Sequence, residues 1–211
     1  AYSKENDNRI DLMVSLIGLP LKTMELKNHY TGQTVENAVK QYQTDRDPKD
    51  PLLAPKRCAV HFAVDDDDIK MCTWLCGKGS WLLPFNKGVN GGAGNPINPN
   101  GVRTADLWEE ILQKESLSDI IENYAQVVKR LDPKTNTEKQ SVVWPRYHQL
   151  DCVRKLLAET KAKGVGQRFL IQHSAGSGKS NSITWLAYQL VGLLDGTQAL
   201  LDSVIVVTDR V

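Results

Sequence analysis

The stretch Gln172-His173-Ser174-Ala175-Gly176-Ser177-Gly178-Lys179-Ser180 constrains this chain more than any other. It follows the apolar run Phe169-Leu170-Ile171 and precedes Ile183-Thr184-Trp185-Leu186-Ala187, whose apolar spacing is helical. A strand, a Gly-rich turn ending in Gly-Lys-Ser and a helix are the parts of a phosphate-binding P-loop. Small residues let successive backbone N–H groups curl round an anion, and the helix N-terminus adds a positive field. Gly176, Ser177 and Gly178 would form that cradle. Lys179 would reach the β- and γ-phosphates of a nucleoside triphosphate, and Ser180 would offer its hydroxyl to Mg²⁺. The full pattern G-x-x-x-x-G-K-[ST] requires Gly where His173 stands. The competing reading is a strand–helix turn that holds no ligand.

A chain of 211 residues accommodates one large domain or two small ones. With 41% hydrophobic and 24% charged residues and a net charge of +1, the composition is that of a soluble globular protein. No apolar run approaches the roughly 20 residues that span a bilayer, and the first residues do not form a signal peptide, so no membrane partner is expected. The near-neutral balance excludes a chain basic throughout, though local DNA-facing patches stay open. Cys58, Cys72, Cys76 and Cys152 are scattered through apolar stretches, without a second pair or a His placed to complete a zinc site. Free thiols in a reducing cytosol are the expectation. The start at Ala1 and the stop at Val211, after the β-rich Ser203-Val204-Ile205-Val206-Val207-Thr208, suggest a piece of a longer chain.

Residues 9–27 read as a β-hairpin: Ile10, Leu12, Val14 and Leu16 alternate with Asp11, Met13 and Ser15, and a turn at Gly18-Leu19-Pro20 leads into Leu21 to Lys27. Residues 34–45 look helical, with Thr34 as N-cap and an apolar stripe of Val35, Ala38, Val39 and Tyr42. Asp47-Pro48-Lys49-Asp50-Pro51 ends that helix. A second hairpin covers 58–75, with the acidic run Asp65–Asp68 read as a solvated tip in preference to a cation site. Residues 77–104 have loop composition, 104–130 return to helical patterning, and the polar run 132–140 marks a boundary. A helix at 148–162, a strand at 168–172, the P-loop, a helix at 179–194 and a strand at 203–208 then spell a βαβ unit.

The first hairpin carries Asp11, then Glu25-Leu26-Lys27. Residues two apart on a strand share a face, so Glu25 and Lys27 emerge together, and Asp11 on the partner strand can project beside them. Two carboxylates and a lysine at a sheet end suit Mg²⁺-dependent phosphodiester hydrolysis. Asp11, Glu25 and the carbonyl of Leu26 would hold the hard cation, while Lys27 orients or activates the attacking water. As a bare pattern, D…ExK also arises on exposed strand faces.

At this point the chain resembles a known family, the restriction (R) subunit of type I restriction-modification enzymes. Asp11…Gly18-Leu19-Pro20-Leu21…Glu25-Leu26-Lys27-Asn28 resembles that subunit's PD-(D/E)xK nuclease core. Leu83-Pro84-Phe85-Asn86-Lys87-Gly88 with Gly94-Asn95-Pro96 resembles its loop between nuclease and motor. Trp144-Pro145-Arg146-Tyr147-His148-Gln149 resembles the segment before its P-loop, and Val206-Val207-Thr208-Asp209-Arg210 its next helicase motif. The likeness runs nearly end to end.

The resemblance implies an α/β protein: a PD-(D/E)xK endonuclease-like mixed sheet over 1–77, a connector over 78–140, and the beginning of a RecA-like parallel-sheet domain of superfamily 2 helicase type over 141–211. It implies Asp11, Glu25, Lys27 and Gln41 as nuclease residues, with Gln41 opening a Q-x-x-x-Y motif. The Tyr position holds Asp45, which supplies neither the stacking nor the hydroxyl of a phenol, and Tyr42 lies three residues earlier. Gln149 would contact adenine, His173 fits motor ATPases that relax the first P-loop glycine, and Asp209 and Arg210 would edge the DNA track. The implied activity is cytoplasmic, ATP-dependent translocation on double-stranded DNA and Mg²⁺-dependent cleavage, in complex with methyltransferase and specificity subunits. Residues 1–211 alone are not expected to turn over ATP. The alternatives are a superfamily 2 helicase or translocase with an inactive nuclease-like docking domain, and a metabolic P-loop kinase.

Overall fold

A computed structural model describes residues 8–131 and 136–208. Asp209 and Arg210 therefore lie outside the described residues. The chain divides into two compact units, Ala1–Trp144 and Pro145–Val211.

The first unit is built on a five-stranded mixed sheet in the order β1-β2-β3-β4-β5. Strands β1 (Leu12–Leu16) and β2 (Leu19–Leu26) form the first hairpin, turning at Ile17-Gly18, where Gly18 has φ +78°. Leu19 and Pro20 belong to β2 and not to the turn. The register jumps between Val14↔Lys22 and Ser15↔Pro20, so Leu21 is bulged out of the ladder. Proline has no N–H to give a ladder, and a bulge is where a strand tolerates it.

After β2 the chain enters α1 (Val35–Lys40) and returns as β3 (Val60–Val64), parallel to β2 with Glu25 opposite Ala63. The expected helix over 34–45 is thus divided. Gln41–Asp45 is a single π-helical segment, and the chain leaves it at Arg46 in extended conformation. Helix α1 lies on the sheet face that carries Ala63, and Val35, Ala38, Tyr42, Leu53, Ala63, Cys72, Leu75 and Leu82 form the core there. On the opposite face Phe62 meets Phe85 edge to face at 5.4 Å. Strand β4 (Ile69–Cys72) closes the second hairpin and β5 (Leu83–Pro84) adds a short edge.

The acidic turn between β3 and β4 departs from expectation. Asp65 is 5% exposed. Its carboxylate accepts the N–H of Val35 at 2.6 Å, of Asp67 at 2.8 Å and of Asp68 at 2.7 Å. One oxygen caps the start of α1 and the other shapes the turn. Asp68 accepts from Asn86, whose own Oδ1 receives the Ile69 N–H, and Asn95 donates to the Asp67 carbonyl. The Gly-rich loop is hydrogen-bonded onto this turn, a use of the four Asp that charge counting does not reveal.

Residues 107–111 make a π-helical turn and α2 spans Lys114–Asn123, but the helical expectation fails beyond it. Gln126–Leu131 is strand β6, paired antiparallel with β7 (Glu138–Val143), Val127 facing Val142. The β-branched pair Val127-Val128 suits a strand better than a helix end, and a cross-strand partner decides the matter.

In the second unit α3 (Tyr147–Lys163) and α4 (Lys179–Val191) match expectation. The strands expected at 168–172 and 203–208 do not form, and a two-residue hairpin, β8 (Leu194–Asp195) with β9 (Gln198–Ala199), follows α4 instead. A parallel strand exists only when a neighbour completes its ladder, and none of the described residues supplies one. Leu170, Ile205 and Val207 are accordingly 94%, 83% and 88% exposed. An apolar cavity of about 250 Å³ opens between the helices, lined by Val153, Leu156, Ile171, Ile183 and Leu186.

Candidate functional site

Two groups of site residues are positioned separately, one in each unit. In the first, the hairpin brings Asp11 beside Glu25. Leu12 pairs with Met24, which brings Asp11 to the level of Glu25. The Leu26 N–H donates to Asp11 Oδ2 at 2.8 Å, tying the first acid to the strand that carries the second. Lys27 lies one residue past the end of β2, and its N–H donates to the Val64 carbonyl at 2.8 Å.

Glu25 is fully buried. Burial pushes its carboxyl up to about 7; the Arg46 guanidinium pulls the other way and the nearby Asp11 carboxylate reinforces the rise. Arg46 Nε donates to Glu25 Oε1 at 2.6 Å, and Arg46 itself is 7% exposed. The other carboxylate oxygen, Oε2, is buried without a hydrogen-bond partner. A carboxylate oxygen in that condition is suited to a hard cation, with Asp11 and the Leu26 carbonyl as neighbouring oxygen donors. Among the described residues no third His, Cys, Asp or Glu joins the two acids. A cation there would depend on main-chain and water oxygens for the rest of its shell.

Gln41 opens the π-helical segment with its Oε1 buried and unpartnered. Asp45, four residues on, is exposed and accepts a hydrogen bond from Thr44 Oγ1 at 2.7 Å. The phenol that comes near the acids is Tyr42, held under the sheet. Its hydroxyl lies 2.9 Å from Thr23 Oγ1, which in turn lies 2.7 Å from His61 Nδ1, and the Tyr42 and His61 rings meet edge to face at 5.8 Å. Burial pushes the Tyr42 hydroxyl well above its ordinary pKa and brings His61 down to about 4. This chain of neutral groups lies on the Glu25 face of β2, two residues from the acid. Sequence reasoning missed Arg46, Thr23 and His61. A cation shortly after a Q-x-x-x-Y-like segment was the one available signal, and only for Arg46.

In the second unit the loop 173–178 turns into α4 through two glycines of positive φ. Gly176 and Gly178 have φ of +72° and +81°, and Gly178 is the N-cap of α4. The positive φ favours glycine at Gly178, and a Cβ there would stand 2.4 Å from Gln149 Nε2, so the Gln149 amide would have to shift. Lys179 Nζ donates to the carbonyls of His173 and Ser174 at 3.1 and 2.9 Å, and a phosphate would compete with them for the ammonium. Ser180, the expected Mg²⁺ ligand, is exposed, and the buried Ser177 hydroxyl has no hydrogen-bond partner. Gln149 is 2% exposed. Its Nε2 donates to the carbonyls of Ser177 and Gly178 at 3.1 and 2.9 Å, and its Oε1 accepts the Arg146 N–H at 2.9 Å. The structure thus places Gln149 on the loop's backbone and not facing an open base pocket. His148 Nε2 lies 3.0 Å from the Ser177 carbonyl, and its ring meets His173 edge to face at 5.0 Å. The residue that departs from the P-loop pattern is therefore packed against α3.

Part of the first unit also matches a known protein family. Residues 1–78 match the family model for the type I restriction enzyme R protein N terminus. This region points to a restriction-enzyme R subunit. No curated protein matches the chain. The matched region holds Asp11, Glu25, Lys27, Gln41 and Arg46, and ends before the Gly-rich loop.

Proposed function

We propose that the chain is part of the motor and endonuclease subunit of a type I restriction enzyme, acting on double-stranded DNA in complex with methyltransferase and specificity subunits. The observation that carries the reading is the pairing of Asp11 with a buried Glu25, whose Oε2 lacks any donor, inside the region similar to R-protein N termini. Arg46 compensates one oxygen of this buried carboxylate and leaves the other to the Asp11 side, where a cation would find two acids together.

Asp11, Glu25 and the Leu26 carbonyl would hold Mg²⁺. When bound, the cation polarises the scissile phosphate and lowers the pKa of a coordinated water. Lys27, next along the Glu25 face, would orient the attacking water or the phosphate oxygen. Tyr42, Thr23 and His61 would fix the strand beneath the acids in one arrangement. In the second unit the 173–178 loop, Lys179 and Ser180 would bind MgATP, with Gln149 supporting the loop from behind. Such a loop belongs to the start of a RecA-like motor domain, and translocation would supply the stalled DNA on which cleavage occurs. Contacts to phosphates would dominate DNA affinity, so binding should weaken steeply with salt.

The test is cleavage of a supercoiled plasmid carrying recognition sites by the reconstituted complex. Asp11→Ala and Lys27→Ala should each abolish cleavage while leaving DNA-stimulated ATP hydrolysis intact. Cleavage indifferent to both substitutions would refute the nuclease assignment. A second reading, a translocase with an inactive nuclease-like docking domain, is favoured by one observation: Asp45 stands where the motif's Tyr would be, exposed and bonded to Thr44. It predicts uncut plasmid with intact ATP hydrolysis for the unsubstituted chain as well.

A further inference from the structure

We infer that Arg46 is an internal cation that holds Glu25 and must leave it when a divalent cation binds. The inference rests on the nuclease reading of Asp11 and Glu25 and assigns a positioning residue to that site. In the described arrangement each acid has one oxygen committed to a protein donor: Asp11 Oδ2 to the Leu26 N–H at 2.8 Å, and Glu25 Oε1 to Arg46 Nε at 2.6 Å. Glu25 Oε2 has no such donor. Arg46 and Glu25 are buried, with side chains 6% and 0% exposed, whereas Asp11 is exposed, so on the Glu25 side little water screens a second cation from the guanidinium. A divalent ion on Glu25 and the Arg46 charge therefore oppose each other at close range.

The backbone provides a way for Arg46 to leave. It follows the π-helical segment Gln41–Asp45, which carries one residue more per turn than α-helical geometry requires. Moving that extra residue rotates Arg46 about the end of the helix without unfolding α1, whose start is pinned independently by Asp65. Gln41 Oε1, buried and unpartnered at the head of the same segment, is the group that such a shift would re-pair. Metal loading and rearrangement of 41–46 thus become one event, and the acid pair stays quenched until a cation arrives.

The test is Mn²⁺ binding to the full 211-residue chain by calorimetry, with Arg46→Met, Arg46→Lys and Asp11→Asn beside the unsubstituted protein. Removing the competing charge in Arg46→Met should tighten Mn²⁺ roughly tenfold, whereas Arg46→Lys should stay near the unsubstituted value. Equal or weaker binding by Arg46→Met would overturn the inference, because a merely orienting arginine would cost affinity when lost. Should Arg46→Met not fold, the Arg46 Nε–H signal of the unsubstituted protein is followed by NMR during Mn²⁺-free Mg²⁺ titration. Its shift and loss of exchange protection at saturation supports displacement, and an unmoved signal refutes it. If no variant binds metal, or if binding survives Asp11→Asn, the nuclease reading falls as well. Metal binding that needs Asp11 but ignores Arg46 removes the latch alone.

Discussion

Replacing Asp65 with Ala should be among the most damaging single changes in the first unit, although a run of four aspartates looks dispensable. The side chain is 5% exposed and accepts three backbone N–H bonds, from Val35, Asp67 and Asp68, at 2.6–2.8 Å. A hydrogen bond to a charged group is worth about 1.5–3 kcal/mol, and removing its acceptor leaves a buried donor unpaired. The bond to Val35 is also a helix cap, for which truncation costs about 0.5–2 kcal/mol. Three coupled bonds do not add fully, so a loss of about 3–5 kcal/mol is expected, a large share of the roughly 5–15 kcal/mol that stabilises a typical domain. Asp65→Asn keeps one carbonyl oxygen and should lose about half as much. Urea unfolding followed by near-UV circular dichroism measures both. Because α1 leads directly into Gln41 and Arg46, Asp65→Ala should also weaken Mn²⁺ binding at Asp11 and Glu25. A loss below about 1 kcal/mol would show that solvent replaces the carboxylate and that the turn is a solvated tip after all.

Two further outcomes follow from named contacts. His61 has its pKa lowered from 6.5 to about 4 by burial, so the folded state resists its protonation. Its contribution is present above about pH 6.5 and is lost as pH falls through 4, about 3 kcal/mol in all; Glu25, raised to about 7, has the opposite sign, its contribution being present below about 4.5 and lost as pH rises through 7. Comparing unfolding at pH 7.5 and 4 in His61→Gln and the unsubstituted chain isolates the histidine, whose removal should flatten the acid limb; an unchanged limb would refute the assignment. Gln149→Ala removes two donors from the Ser177 and Gly178 carbonyls, at about 1 kcal/mol each, and should weaken MgATP roughly 10–30-fold. A support role predicts the same loss for MgGTP, whereas a loss confined to MgATP would restore Gln149 to the base pocket.

How much was legible in the sequence varies with how local each signal is. The D…ExK hairpin was readable because alternation fixes which strand residues share a face, and Glu25 and Asp11 do meet across β1 and β2. The glycine-rich turn before α4 was readable because its glycines answer a local need for positive φ at Gly176 and Gly178. Helices α3 and α4 were readable from their apolar period. Val127 was misassigned because a strand's identity depends on its partner, here Val142, and that partner is fifteen positions away. The expected strands at 168–172 and 203–208 failed for the same reason in reverse: apolar composition without a neighbouring ladder does not make a strand.

The sequence by itself determined the local chemistry: two acids and a lysine on one hairpin, and a glycine-shaped turn ending in Gly178-Lys179-Ser180. Those features depend on bond geometry and side-chain alternation, which act over a few residues. Tertiary structure alone decided what faces them. It buried Glu25 and set Arg46 on one of its oxygens, turned Asp65 from a surface acid into a helix cap, and bonded Gln149 to the Ser177 and Gly178 carbonyls. Each of these depends on burial and on partners 21 to 30 positions away in the chain. Desolvation and directional hydrogen bonding then set what each group can do, and neither is visible until the chain has folded.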